Sequence, residues 1–196
     1  MAPSRPALRQ TTLNSHFGQQ DTHRISKKTP PAKPAPKSGP ATAKTDRVST
    51  DVLLAIKQVH LANIASQKKN HEYRKYRLKD GVVRLWFYET AEGGGKSAIT
   101  HIAVIPSDIR RTPGDVPTEP FGIGNEDFNA GRKESKYGYP ILELYKLVEP
   151  ITLAEMKSRW ALGSAPMGWR YVGADMWEDR WGADDQERDA KLKRVF

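Results

Sequence analysis

Large apolar residues are almost confined to Leu8, Leu13 and Phe17 before Val48, and recur in short patterned runs after it. In DVLLAIKQVHLANIASQKK, which begins at Asp51, Val52, Leu53, Ile56, Val59 and Ile64 recur at near-helical spacing, and Ser49 precedes them as a cap. The pattern predicts a helix packed on a sheet. The runs EYRKYRL, VVRLWFYET, AITHIAVI and YPILELYKLVEPI are rich in β-branched and aromatic residues, and turns of glycine, proline or charge bound them. They read as strands, with EGGGK joining the second to the third as a hairpin-like connection. After Pro150, ITLAEMKSRW carries Thr152 three residues before Glu155, a capping box, and WRYV follows as a last short strand.

Short strands mixed with two or three helices predict an α+β fold, a small and partly closed β-barrel with flanking helices spanning residues 48–175. Residues 176–196 alternate charge signs and predict a charged C-terminal tail or helix. There Trp177 and Trp181, four apart, would pack back on the barrel.

Charge changes the picture at the N-terminal side. Through Thr50 there are nine Lys or Arg against Asp21 and Asp46, so this stretch holds +7 of the net charge of +9. Seven of the 14 prolines precede Asp46. Each removes a backbone donor and blocks helix continuation, so residues 1–47 are expected to form a disordered, basic tail. Lys27 and Lys28 suit a nuclear address, a loose phosphate-binding arm or simply a solubilising spacer.

The chain has no cysteine, which excludes disulfides and thiolate metal sites. MAPSRPALRQ lacks the apolar core of a signal peptide, and no apolar run approaches a bilayer span, so an intracellular and soluble protein with no membrane contact is expected. No metal, no other cofactor and, without a zipper or repeat, a monomer complete the expectations from composition.

Within the tail, RQTTLNSHF sets Gln10, Leu13, His16 and Phe17 so that one helical turn would project Leu13, His16 and Phe17 together, with the Gln10 amide beside them. This resembles the PIP box that fastens proteins to the sliding clamp PCNA, with His16 replacing the first of the usual two aromatics. The segment is close to the clamp-binding peptide of the maintenance cytosine methyltransferases. The resemblance implies PCNA as a partner and the nucleus as location.

In the folded part, KNHEYRKY presents Glu72, Arg74 and Tyr76 on one face of an extended strand, and Tyr73 and Lys75 on the other. A carboxylate beside a guanidinium can read a base edge. In the next strand Arg84, Trp86 and Tyr88 alternate with Val83, Leu85 and Phe87. One face therefore suits the core, and the other offers rings for stacking on an unpaired or flipped base. The pattern from Lys69 to Arg74 resembles the K-x-x-E-x-R core of the ASCH family, and the order of elements is similar to the PUA-like superfamily that contains ASCH, EVE and YTH domains. The resemblance covers about Val52 to Val172, with Gln67 where ASCH domains usually have glycine. It implies a nucleic-acid-binding cleft, for which Lys69, Glu72, Arg74, Trp86, Tyr88, Arg110 and Arg111 are the candidate residues. Arg132 and Lys133 sit in the same long loop as Arg110 and Arg111, as a further cationic rim.

Three functions follow from these readings. The first is a PCNA-tethered nuclear reader of DNA in replication or repair, with a modified or flipped base as candidate ligand. The second is an RNA-binding ASCH protein in RNA processing. The third is an amidohydrolase acting on a modified nucleoside through Lys69 and Glu72. ASCH amidohydrolases use a lysine, a threonine and a glutamate, and here Glu72 stands where the threonine would be, so no catalytic residue is assigned and His101 is read as a hydrogen-bonded strand residue.

Overall fold

The computed structural model describes residues 46–182 and 184–196. The tail candidates Gln10, Leu13, His16 and Phe17 lie outside the described residues.

The first apolar run folds differently from its spacing. Arg47–Ile56 is a strand, β1, and only Gln58–Ala65 is helical, α1. Val52, Leu53, Leu54 and Ile56 are all buried, so β1 has apolar neighbours on both faces and shows no alternation. Two short elements follow, β2 (His71–Arg74) and, after a loop, β3 (Arg84–Glu89). β3 pairs parallel to β1, with Ile56 opposite Glu89. β4 (Ala98–Val104) runs antiparallel to β3 across the EGGGK connection.

A long loop holds α2 (Asn125–Asn129), and the next apolar run divides into β5 (Tyr137–Pro140) and β6 (Glu143–Thr152). α3 (Leu153–Trp160) starts as predicted, with the Thr152 hydroxyl accepting from the Glu155 N–H at 3.1 Å. β7 (Trp169–Gly173), α4 (Ala174–Arg180), α5 (Asp185–Lys191) and β8 (Leu192–Arg194) complete the order.

Six strands form one sheet in the order β7-β1-β3-β4-β6-β8, and β2 and β5 form a separate ribbon. Among the described residues the six-stranded sheet is open between β7 and β8, each hydrogen-bonded on one side, and register shifts in β1/β7, β3/β4 and β4/β6 bend it. Both faces are covered. Leu54, Leu85, Phe87 and Leu144 pack under α1 and the β2–β5 ribbon, through Leu61, Ile64 and Tyr139. Leu53, Trp86, Tyr88 and Ile102 pack under α3, α4 and the C-terminal segment, through Met156, Met176, Trp181 and Leu192.

The turn that delivers Lys69 is built on Gln67 at a φ of 58°, just past α1. The Gln67 N–H reaches the Ile64 carbonyl at 2.8 Å, and the Lys69 N–H reaches the Asn63 carbonyl at 2.9 Å. The left-handed conformation that a glycine adopts freely is therefore held here by a residue with a Cβ. Gln67→Gly is expected to raise the unfolding free energy by about 0.5–1 kcal/mol, read as a higher urea midpoint at unchanged slope. An unchanged or lower midpoint would contradict this account of the turn.

Candidate nucleic-acid site

The C-terminal end of β1, the start of α1, the β2 strand and the segment after β3 enclose an open cleft of about 360 Å³. Ala55, Lys57, His60, Glu72, Arg74 and Thr90 are among its lining residues. The parallel pairing of β1 with β3 brings Thr90 here, its N–H bonding the Ile56 carbonyl at 2.9 Å. The Thr90 hydroxyl and the Arg74 Nε have no hydrogen-bond partner among the described residues.

Lys69, Glu72 and Arg74 do come together. Glu72 is 4% exposed; its Oε2 meets the Lys69 ammonium and its Oε1 lies 2.9 Å from an Arg74 nitrogen. The same Arg74 nitrogen donates to the Ala55 carbonyl at 2.6 Å, fastening the ribbon to β1. Burial alone would raise the Glu72 carboxyl, but the charges of Lys69 and Arg74 overcome it and hold the group below the usual carboxylate range. Burial lowers the Lys69 ammonium, opposed by Glu72.

Cations outnumber carboxylates around this floor. The part of the His60 ring shielded from water lowers its pKa, and Lys69, Lys133 and Lys57 add to the effect against Glu72. Two ammonium groups, Lys69 Nζ and Lys133 Nζ, each lie 5.6 Å from the centroid of the Tyr73 ring. Its hydroxyl donates to Asn125 Oδ1 at 2.7 Å, and its ring meets Phe128 at 4.5 Å. α1 opens beside the cleft without a side-chain cap or an acidic residue in its first turn, and its N-cap Lys57 pairs with Glu92, which also lines the cleft, at 2.7 Å.

The other candidates sit elsewhere. Trp86 and Tyr88, at 0% and 3% exposure, belong to the second core, under α3 and α4, and present no face to a base. The Trp86 N–H donates to buried Asp51 at 2.8 Å. Arg110 is bound up in the backbone: it donates to the carbonyls of Pro106, Ile109, Lys79, Val82 and Ser107, so it ties the long loop to the segment before β3 instead of forming a rim. Arg111 is half-buried, its backbone bridged to Gly138 of the β2–β5 ribbon. Arg132 is taken by Asp127 and Glu126 at 2.8 and 2.9 Å. Lys133 does reach the site region, against Tyr73. His60 and Thr90 carry no motif in the sequence; Thr90 becomes a site residue through the β1–β3 pairing, and His60 through the Arg74 bond that fastens the ribbon to β1.

His71, in β2, is buried, and His101, in β4, is half-buried. The Asn70 amide donates to the Pro120 carbonyl at 2.9 Å, which turns its oxygen to His71 Nδ1 at 2.8 Å, so Nδ1 carries the proton. Burial, then Arg111 and Lys69, push His71 down to about 4; burial, then Lys146 and Lys96, do the same to His101. Both rings are neutral when folded, whereas an unfolded histidine titrates near pH 6.5. The stability they contribute is complete above about pH 6.5 and is lost as pH falls towards 4, because the unfolded chain then binds the extra protons. Urea midpoints measured at pH 7 and pH 5 should show the fall, and His101→Gln should flatten it. An equal fall in that variant would refute His101's part.

No protein-family model matches the chain, and no curated protein matches its sequence. Solved structures of similar chain path include ASCH from Zymomonas mobilis, at 15% identity and a TM-score of 0.46, covering 65% of this chain and 91% of that one. A serine-to-alanine mutant of the Zymomonas mobilis protein ZmASCH aligns at 14% identity and a TM-score of 0.49, over 68% of this chain and 96% of that one. A tyrosine-to-phenylalanine mutant of the same protein gives 14% and 0.48, over 66% and 95%. No described helix is long and apolar enough to cross a membrane.

Proposed function

We propose that residues 46–196 form a nucleic-acid-binding module that takes a base or nucleotide into the cleft at Lys69, Glu72 and Arg74, and that residues 10–17 tether it to PCNA. The observation that carries the reading is a buried carboxylate held between two cations on the floor of an open cleft, with the Arg74 Nε and the Thr90 hydroxyl still unpartnered. A ligand edge that donates to Glu72 and accepts from Arg74 would complete these bonds, while Lys133 and the positive end of α1 suit phosphate. The site reads as one for binding: both Glu72 oxygens are engaged by cations, and no observation favours hydrolysis.

In this reading the protein is a nuclear monomer acting at replication or repair. The basic, proline-rich tail acts as a tether that raises the local concentration of a weak reader at the clamp. RNA is the competing ligand class.

Fluorescence anisotropy of the full chain with a labelled single-stranded RNA and the DNA of the same sequence tests the cleft. Saturable binding that weakens between about 50 and 200 mM salt is expected, with a loss of at least about tenfold in Arg74→Ala. Absence of binding to either strand at low salt would overturn it, and a clear preference for RNA would assign the ligand through the ribose hydroxyl. For the tether, calorimetry of a peptide spanning Ala7 to Gln20 against PCNA should show binding that Phe17→Ala abolishes.

A further inference from the structure

Beside the cleft, the open edge of the sheet carries a second hollow, of about 390 Å³, lined by Arg47, Trp169, Arg170 and Tyr171. Trp169 and Tyr171 are two apart in β7 and so share a face. Each is half-buried against the first core, and their rings meet edge to face at 5.2 Å and 84°. Perpendicular rings make a corner: a flat ligand stacked on one turns its edge to the other. Neither Arg47 nor Arg170 forms an ion pair among the described residues, and both are exposed. No carboxylate of the described residues lines the hollow.

We infer that this edge is a second nucleic-acid contact, a stacking and phosphate-binding platform for the unpaired nucleotides that flank the one in the cleft; the inference rests on the reading of the cleft given above. Register places the two sites side by side. Trp169 pairs with Leu54, and the next residue, Ala55, lines the cleft and accepts from Arg74. From Trp169 the platform runs along β7 to Arg47, which is opposite Gly173, a path on the order of 13 Å at strand rise. Stacking on Trp169 or Tyr171 tolerates any base; Arg170, on the alternate face of β7, lines the same hollow at the strand edge, and its guanidinium and that of Arg47 suit the backbone of a strand passing over it. A single strand whose central nucleotide enters the cleft would leave over this edge. A peptide strand added to β7 would need its backbone groups, but neither the ring corner nor two unpaired arginines.

The test compares the full chain, the exposed-surface variant Arg47→Gln/Arg170→Gln and Trp169→Leu. The probes are labelled single-stranded oligonucleotides of about three and about fifteen residues, of the type the wild type prefers. For the long probe, each variant should lose about tenfold in affinity, with a shallower salt slope in the arginine variant. For the short probe, affinity should hold, and in contrast Arg74→Ala should weaken both. Trp169 fluorescence should be quenched by the long probe, as the difference between the wild type and Trp169→Leu.

Equal affinities of the wild type and the arginine variant for the long probe would overturn the platform, leaving the cleft intact if Arg74→Ala still matters. Loss on the platform variants with none in Arg74→Ala would uphold the platform and remove the cleft reading instead. A wild type that binds neither probe overturns both. The arginine variant leaves the core untouched, so a misfolded Trp169→Leu cannot mask the outcome.

Discussion

Asp51→Ala is expected to cost about 3–5 kcal/mol of stability, enough to leave a domain of this size close to unfolding. The Asp51 carboxylate is fully buried and accepts four hydrogen bonds. Arg84 Nε reaches it at 2.6 Å, Arg84 Nη2 at 2.7 Å, Trp86 Nε1 at 2.8 Å and the Thr50 hydroxyl at 2.6 Å. Arg84 is in turn packed against Trp181 at 4.8 Å and Trp177 at 5.9 Å. Without Asp51 a largely buried guanidinium and an indole N–H lose their acceptors together, and the contact that holds the C-terminal segment on the sheet loses its anchor. Urea unfolding at pH 7 checks the figure through its midpoint, with Asp51→Asn expected to fall between the two because it keeps an acceptor for Trp86. A cost below about 1 kcal/mol for Asp51→Ala would show that this network is dispensable.

That network also explains what could be read from the sequence around it. Alternation correctly grouped Trp86 with Tyr88, and Leu85 with Phe87, because side chains in a strand alternate whatever lies above them. Which group meets solvent is decided by the second layer. α3, α4 and the C-terminal segment cover the face of Trp86, and no local pattern in β3 announces their arrival. Trp177 and Trp181 were legible as packing residues from their spacing; their partner, the Arg84–Asp51 pair, was not, because it links residues far apart in the chain.

The Val52–Ile56 run failed for the opposite reason. A strand buried on both faces loses its period of two. Followed at once by a short helix, its apolar residues mimic one long helical stripe. The Thr152 cap, by contrast, is a contact between residues three apart, so the start of α3 was readable without the fold. In the site, Lys69, Glu72 and Arg74 were legible together for the same reason of closeness in sequence. Arg110 was misjudged because nothing in the loop's composition reveals a basket of carbonyls from two separate segments.

Glu72→Ala is the second large effect, and it separates folding from binding. Removing the carboxylate leaves Lys69, 6% exposed, and the Arg74 guanidinium facing each other without the anion that holds them. A cost of about 3–5 kcal/mol is expected, along with loss of oligonucleotide binding. The pH dependence identifies the cause. Burial already lowers the Lys69 pKa with Glu72 opposing it; without Glu72 that opposition is gone, and the folded-state pKa falls further below the value of an unfolded lysine. The unfolded chain then binds the extra proton, so the variant's deficit from the wild type is largest below the lowered folded-state pKa and narrows as pH climbs towards about 10. Urea midpoints at pH 7 and pH 9 measure this narrowing, and a deficit unchanged by pH would show that Lys69 is not the stranded charge. Lys69→Met/Glu72→Leu removes both members of the buried pair and should recover much of the stability. If oligonucleotide binding stays absent in that stable variant, the carboxylate and ammonium act on the ligand; if it returns, the triad serves only to fasten the β2–β5 ribbon to β1.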